Sequence, residues 1–332
     1  MNLAANANAA LYASMIVYTL AMLAFTWHLA ARAPTVADSL ATAGAVANER
    51  EGVLVGAGAP APSERRSATP YAAGPGFEES IKSRQRGSIA LMLTYLASAL
   101  LVASVLMRGL AVGRPPWGNM FEFATAAAAA VGAAYSVLAK RNNWQWLGVF
   151  IVTPILLVLG LALTVLYTEA GELMPALKSY WLGIHVSVAF LAVAFFTLAF
   201  AIGLLYLVRL RREEKPPARP SFIESMPSSA SLERTAYSLN MVAFILWTFT
   251  LIAGAIWAKQ AWGAYWQWDP KEVWTFVIWT VYAAYMHGRA TAGVDHRKST
   301  YIALAGYVAV IINFTLVNLV STFVGMHNYS GM

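Results

Sequence analysis

Apolar runs long enough to cross a bilayer alternate with short polar segments along the chain. Eight such runs fall at about 11–31, 89–107, 117–139, 144–167, 181–208, 237–258, 273–290 and 300–323. Each approaches the ~20 residues that a helix needs to cross a hydrocarbon core about 30 Å thick. The pattern predicts an all-α integral membrane protein with about eight transmembrane helices. No pair of interrupted spans sits at matching places in two halves, so the inverted-repeat transporter pattern is unsupported. No basic segment precedes the first apolar run, which reads as a membrane helix (1–32) rather than a cleavable leader. Residues 33–88, rich in Ala, Gly, Pro and Ser, have too few large apolar side chains for a core and read as a flexible linker. Residues 89–332 then form a seven-helix membrane domain. Within it, "REEKPPARPSFIESMPSSAS" (212–231) is a second, proline-broken linker.

Charge orients this array. The segments 32–86, 140–143, 209–236 and 288–299 hold 18 of the 23 Lys and Arg residues, and the alternate segments hold only Arg108, Arg114, Lys178, Lys259 and Lys271. An excess of Lys and Arg marks the cytoplasmic side. Both termini and the tryptophan-rich segment therefore face outward in a multi-pass membrane protein, and the candidate chemistry lies on the external face. The net charge of +7 follows from this topology and calls for no nucleic-acid partner. Composition agrees: 59% of the 332 residues are hydrophobic and 12% charged, against about a quarter charged in soluble domains. The chain has no cysteine, so any thiol in its chemistry comes from another molecule.

The outward segments carry the candidate chemistry. "WGAYWQWDPKEVW" (262–274) crowds four tryptophans, a tyrosine, two carboxylates and a lysine between two apolar runs. Its second half is a helix start: Asp269 as N-cap, Pro270 in first position and Glu272 able to close a capping box. Its first half places Trp262, Tyr265 and Trp266 at i, i+3 and i+4, one stripe if helical, with Trp268 off the stripe. Interfacial anchoring accounts for some membrane tryptophans, but this density suits a shelf for a large planar apolar ligand. A partner-docking scaffold is a third reading.

The chain has five histidines. His185 near the outer end of the fifth span and His327 beyond the eighth reach similar depth and flank the aromatic segment in chain order. Two imidazoles across a planar cofactor would give bis-histidine haem ligation; each could equally be an interfacial histidine bonded to a carbonyl or water. His287 lies roughly 21 Å along the seventh span at 1.5 Å per residue, within the inner half of the bilayer, where an imidazole calls for a partner or a metal. His28, near Arg32, reads as a headgroup-level residue that could alternatively pair with His287, and His296 reads as solvated. No span holds two histidines, which argues against a di-haem quinol-oxidising cytochrome of the b type. Arg108, Arg114, Lys259 and Lys271 are the cations available to haem propionates.

These residues resemble a known family. "WGAYWQWDPKEVW" is similar to the tryptophan-rich WWD signature of haem-handling proteins of cytochrome c maturation. "RPPWGNMFEF", "LMPALKSYWLGIHV" and the terminal "GMHNYSGM" resemble segments of its CcsA (ResC) branch, from the system II pathway. The resemblance covers about residues 89–332. It implies that His185 and His327 hold haem b at the WWD surface of Trp262, Trp266, Trp268 and Asp269, and that His287 belongs to an inner haem site completed by a ResB-type membrane partner. The implied function is that of the membrane component of a cytochrome c synthase. It moves haem outward and presents it to the CxxCH motif of apocytochrome c for thioether attachment. The alternative is a haem conduit or chaperone without ligation activity of its own.

Overall fold

A computed structural model describes residues 2–32, 81–171, 178–217, 221–291 and 294–319. Helices dominate, and no β-strand occurs among the described residues. In chain order they are α1 Leu3–Arg32, α2 Ile81–Ala111, α3 Met120–Asn142, α4 Gly148–Val165, α5 Tyr180–Glu214, α6 Ser229–Trp262, α7 Pro270–Ala290 and α8 His296–Phe314. Short turns of 3₁₀ helix at Trp144–Leu147 and Phe222–Ser225, and one helical turn at Leu316–Leu319, supplement them. The predicted all-α membrane architecture is thereby borne out. All but α7 are long and apolar enough to cross a membrane. In α7 the tryptophans, tyrosines and His287 lower the hydropathy, yet the helix packs in the same bundle. α2 starts at Ile81, inside the segment read as linker, because "IKSRQRGS" continues the helix beyond the apolar run.

The helix ends follow local rules. Asn119 caps α3 by accepting from Glu122 N at 2.9 Å, and Ser179 and Ser228 cap α5 and α6. α6 stops at Trp262 because Gly263 takes φ +82°, the left-handed conformation that closes a helix C-terminus and suits glycine. Asp269 and Glu272 form the expected capping box, with Pro270 in the first turn of α7. The Trp262–Tyr265–Trp266 stripe does not form, because the chain leaves the helix after Trp262.

α5 is the spine of the bundle, with 67% of its most apolar stretch buried against 28% in α1. Its residues Ala194 to Tyr206 join a core with α1–α4, while Ala189, Ala192 and Phe196 join a second core with α6, α7 and α8. Small side chains along α5 let helices approach from several sides.

The helix ends sort into two poles. At the basic pole Arg289 pairs with buried Glu233 at 2.8 Å, and Arg297 pairs with Glu214, tying α5, α6, α7 and α8 together. There too, Arg212 reaches Glu224 at 3.2 Å. Burial raises the Glu224 carboxyl pKa, but the backbone and hydroxyl of Ser221, with Arg212 nearby, outweigh it and hold that pKa below the usual carboxylate value. The opposite pole gathers the ends of α5, α6, α7 and α8 around residues 262–274. Ser179 there bonds Gln260 at 2.9 Å, and Lys271 reaches Asn313 O at 2.8 Å.

Candidate functional site

A cleft at the tryptophan-rich pole has a cavity volume of about 130 Å³ and opens to the outside. Its walls come from the start of α3, α5, α6, the 263–269 loop with the start of α7, and the end of α8. Trp117, Phe123, Trp247, Trp257, Trp266 and Phe314 make it aromatic, and His185, Lys271, Glu272 and Asn313 are among its few polar side chains. Ligand sites have this make-up, an apolar hollow with a few placed polar groups.

His185 sits one turn into α5, half-buried, and its position is determined by α6. Its Nδ1 lies 2.9 Å from the backbone oxygen of Thr250. A carbonyl oxygen only accepts, so Nδ1 carries the proton and the basic lone pair is on Nε2. The Trp257 ring lies parallel to the imidazole, with centroids 6.1 Å apart and planes within 15°. Gly254 makes the approach feasible: a Cβ there would meet His185 Cε1 at 2.8 Å. An imidazole held by a carbonyl through Nδ1 is the usual orientation of a metal-ligating histidine.

The tryptophan segment divides into parts. Trp266 lines the cleft. Trp262 stands behind, edge-on to Trp257 at 4.7 Å. Trp268 is 76% exposed, meets Trp266 edge-on at 5.8 Å, and has φ +59°. A bulky residue in the left-handed region is strained. Asp269 is buried at the cap of α7, accepting from Lys271 N at 2.9 Å. Glu272 Oε2 accepts from Gln267 N at 2.8 Å and from Asp269 N at 3.2 Å, so this carboxylate ties the loop to the helix.

His287 lies apart from the cleft, near the basic end of α7. It is exposed, on a stripe with Phe276, Val277, Thr280 and Ala284. His28 is buried, its Nδ1 2.9 Å from Ser83 O between α1 and α2, so the structure does not bring it to His287. His296 is about half exposed and approaches Glu233. His327 lies outside the described residues.

Sequence reasoning missed the supports of the cleft. Glu122, fully buried, pairs with Arg108 at 3.0 Å and with Arg114 at 2.6 Å and accepts from Gly118 N. Arg108 also donates to Thr168 O, and Arg114 to Gly171 O at 2.8 Å. This cluster fixes the turn that delivers Trp117 and Asn119. Asn119-x-x-Glu122, a cap followed three residues later by a carboxylate, was the available signal. Thr250, Gly254 and Trp257 left only helical spacing.

The bundle and cleft define a multi-pass membrane protein with an aromatic, histidine-bearing hollow at one pole. Residues 117–325 match the family model described as cytochrome C assembly protein. The chain belongs to that family and is of the CcsA type. It is 31% identical over 278 residues to the cytochrome c biogenesis protein CcsA of Prochlorococcus marinus (strain MIT 9313), covering 75% of this chain and 86% of the relative. The CcsA of Guillardia theta is 35% identical over 210 residues, 58% of this chain and 69% of the relative. That of Porphyra purpurea is 27% identical over 278 residues, 73% and 86%. Membership places the chain in cytochrome c biogenesis.

Proposed function

We propose that the chain is the membrane component of a cytochrome c synthase. It holds haem b at the external face between His185 and His327 and presents it, with a ResB-type partner, to the CxxCH motif of apocytochrome c. The observation that carries this reading is His185, held by the Thr250 carbonyl through Nδ1 and flanked by the Trp257 ring, on the wall of an aromatic hollow. Haem supplies the iron and the vinyl groups, and the apocytochrome supplies the thiols. The residues of this chain hold and orient, bringing the reactants together and excluding water. The exposure of His287 on α7 suits an imidazole completed by a second membrane protein, which supports assigning it to an inner haem site.

Reconstitution tests this. The chain with its ResB-type partner, supplied with haem, is expected to attach haem covalently to a CxxCH substrate. Equal attachment in the absence of this chain would reduce its role to conduit or chaperone. His185→Ala and His327→Ala are each expected to change the absorption spectrum of the outer haem, and an unaltered bis-histidine spectrum in both would reject the ligand assignment.

A further inference from the structure

Of the cations considered for propionates, three are engaged elsewhere. Arg108 and Arg114 are spent on Glu122. Lys259 is exposed, donating to Gly263 O at 2.7 Å beside the Tyr265 ring. Lys271 lines the cleft, and among the described residues no other Lys or Arg does.

The surroundings of Lys271 leave its charge uncompensated by direct pairing. Its Nζ donates to Asn313 O at 2.8 Å and to Asn318 Oδ1 at 3.0 Å, both neutral, and stands 4.5 Å from the Phe314 ring centre. Among the described residues, the only hydrogen-bond partners of Nζ are these oxygens, and Asp269 acts on it as a nearby charge rather than a bonded ion-pair partner. Of the nearby acids, Asp269 caps α7, and Glu272 accepts two backbone N–H groups through Oε2 at the positive end of that helix, its buried Oε1 making no hydrogen bond among the described residues. Capping the Asn313 carbonyl of α8 and bonding the Asn318 side-chain amide account for the two bonds of Lys271 but do not neutralise it. An ammonium has three N–H donors, so one remains. A buried amine in a largely apolar hollow holds its full charge best with an anion beside it, so the site favours an anionic ligand group.

We propose that Lys271 is the counter-ion for a carboxylate of the bound ligand, which on the haem reading above, on which this inference rests, is a propionate. Propionates and vinyls occupy opposite edges of the macrocycle. Anchoring the propionate edge at the start of α7 therefore turns the vinyl edge away from the α7–α8 wall.

The test compares haem with haem dimethyl ester, whose propionates carry no charge, by absorption titration of the purified protein in detergent. The wild type is expected to bind haem about ten- to hundred-fold more tightly than the diester, as for one charge-assisted hydrogen bond. Lys271→Met should abolish that preference, whereas Lys271→Arg and Lys259→Met should largely keep it. Full preference in Lys271→Met, or equal affinity of the wild type for both compounds, overturns the assignment. The second comparison needs no variant, so a Lys271→Met protein that fails to fold leaves the proposal falsifiable. Binding of neither compound by the wild type would instead remove the haem reading itself.

Discussion

Thr250 offers its carbonyl oxygen to His185 only because residue 254, four positions on along α6, has no side chain. A methyl group at that position must displace either the ring or the helix. Gly254→Ala is expected to cost about 1–3 kcal/mol of stability, as overpacking does, and to shift the absorption of bound haem towards that of His185→Ala. Normal stability with an unaltered spectrum would show that the close approach is dispensable. The histidine was legible in the sequence because imidazole in an apolar span is rare. Its glycine was not, since glycine is common in membrane helices and its meaning depends on which neighbour faces it. Glu122 lies between these cases: its capping spacing was readable, while its two arginine partners belong to a turn and a neighbouring helix brought together by folding.

At the scale of elements, the 263–269 loop and the start of α7 behave as one unit, tied by Glu272 to the backbone N–H groups of Gln267 and Asp269. Removing the cap should loosen loop and helix start together. Asp269→Ala is expected to destabilise the protein by about 1 kcal/mol and to raise hydrogen exchange across residues 264–273. Asp269→Asn, which keeps a capping oxygen, should retain most of the protection. Unchanged exchange in the alanine variant would mean that the carboxylate acts on the ligand alone. The Asp-Pro-x-Glu signal was legible because capping is local chemistry. The stripe through Trp262 and Trp266 depended on the segment being helical, and Gly263 ends the helix between them.

At the scale of the molecule, long apolar helices announced themselves by length and composition, so the all-α bundle was legible almost throughout. The cleft was not. Apolar side chains cover nearly every face of these helices, so periodicity gives little hint of which face meets protein and which meets lipid. The two poles permit a clean topological test, because the chain has no cysteine. Single cysteines at Gln260, on the tryptophan-rich pole, and at Arg234, on the basic one, should label differently with a membrane-impermeant maleimide added to intact cells. Gln260→Cys is expected to react and Arg234→Cys to remain protected until the membrane is opened. The reverse order would invert the proposed orientation and place the cleft towards the cytoplasm.

Trp268 has a consequence of another kind. Its backbone is in a conformation that glycine adopts without strain, and its ring is mostly exposed to the surroundings. A protein evolved in the laboratory for heat resistance alone would tend to discard this indole, since glycine would relieve the strain at the loss of few contacts. Retaining it gives up some robustness for a large flat surface at the rim of the cleft, so thermostability and performance are expected to be selected in opposite directions at this one position.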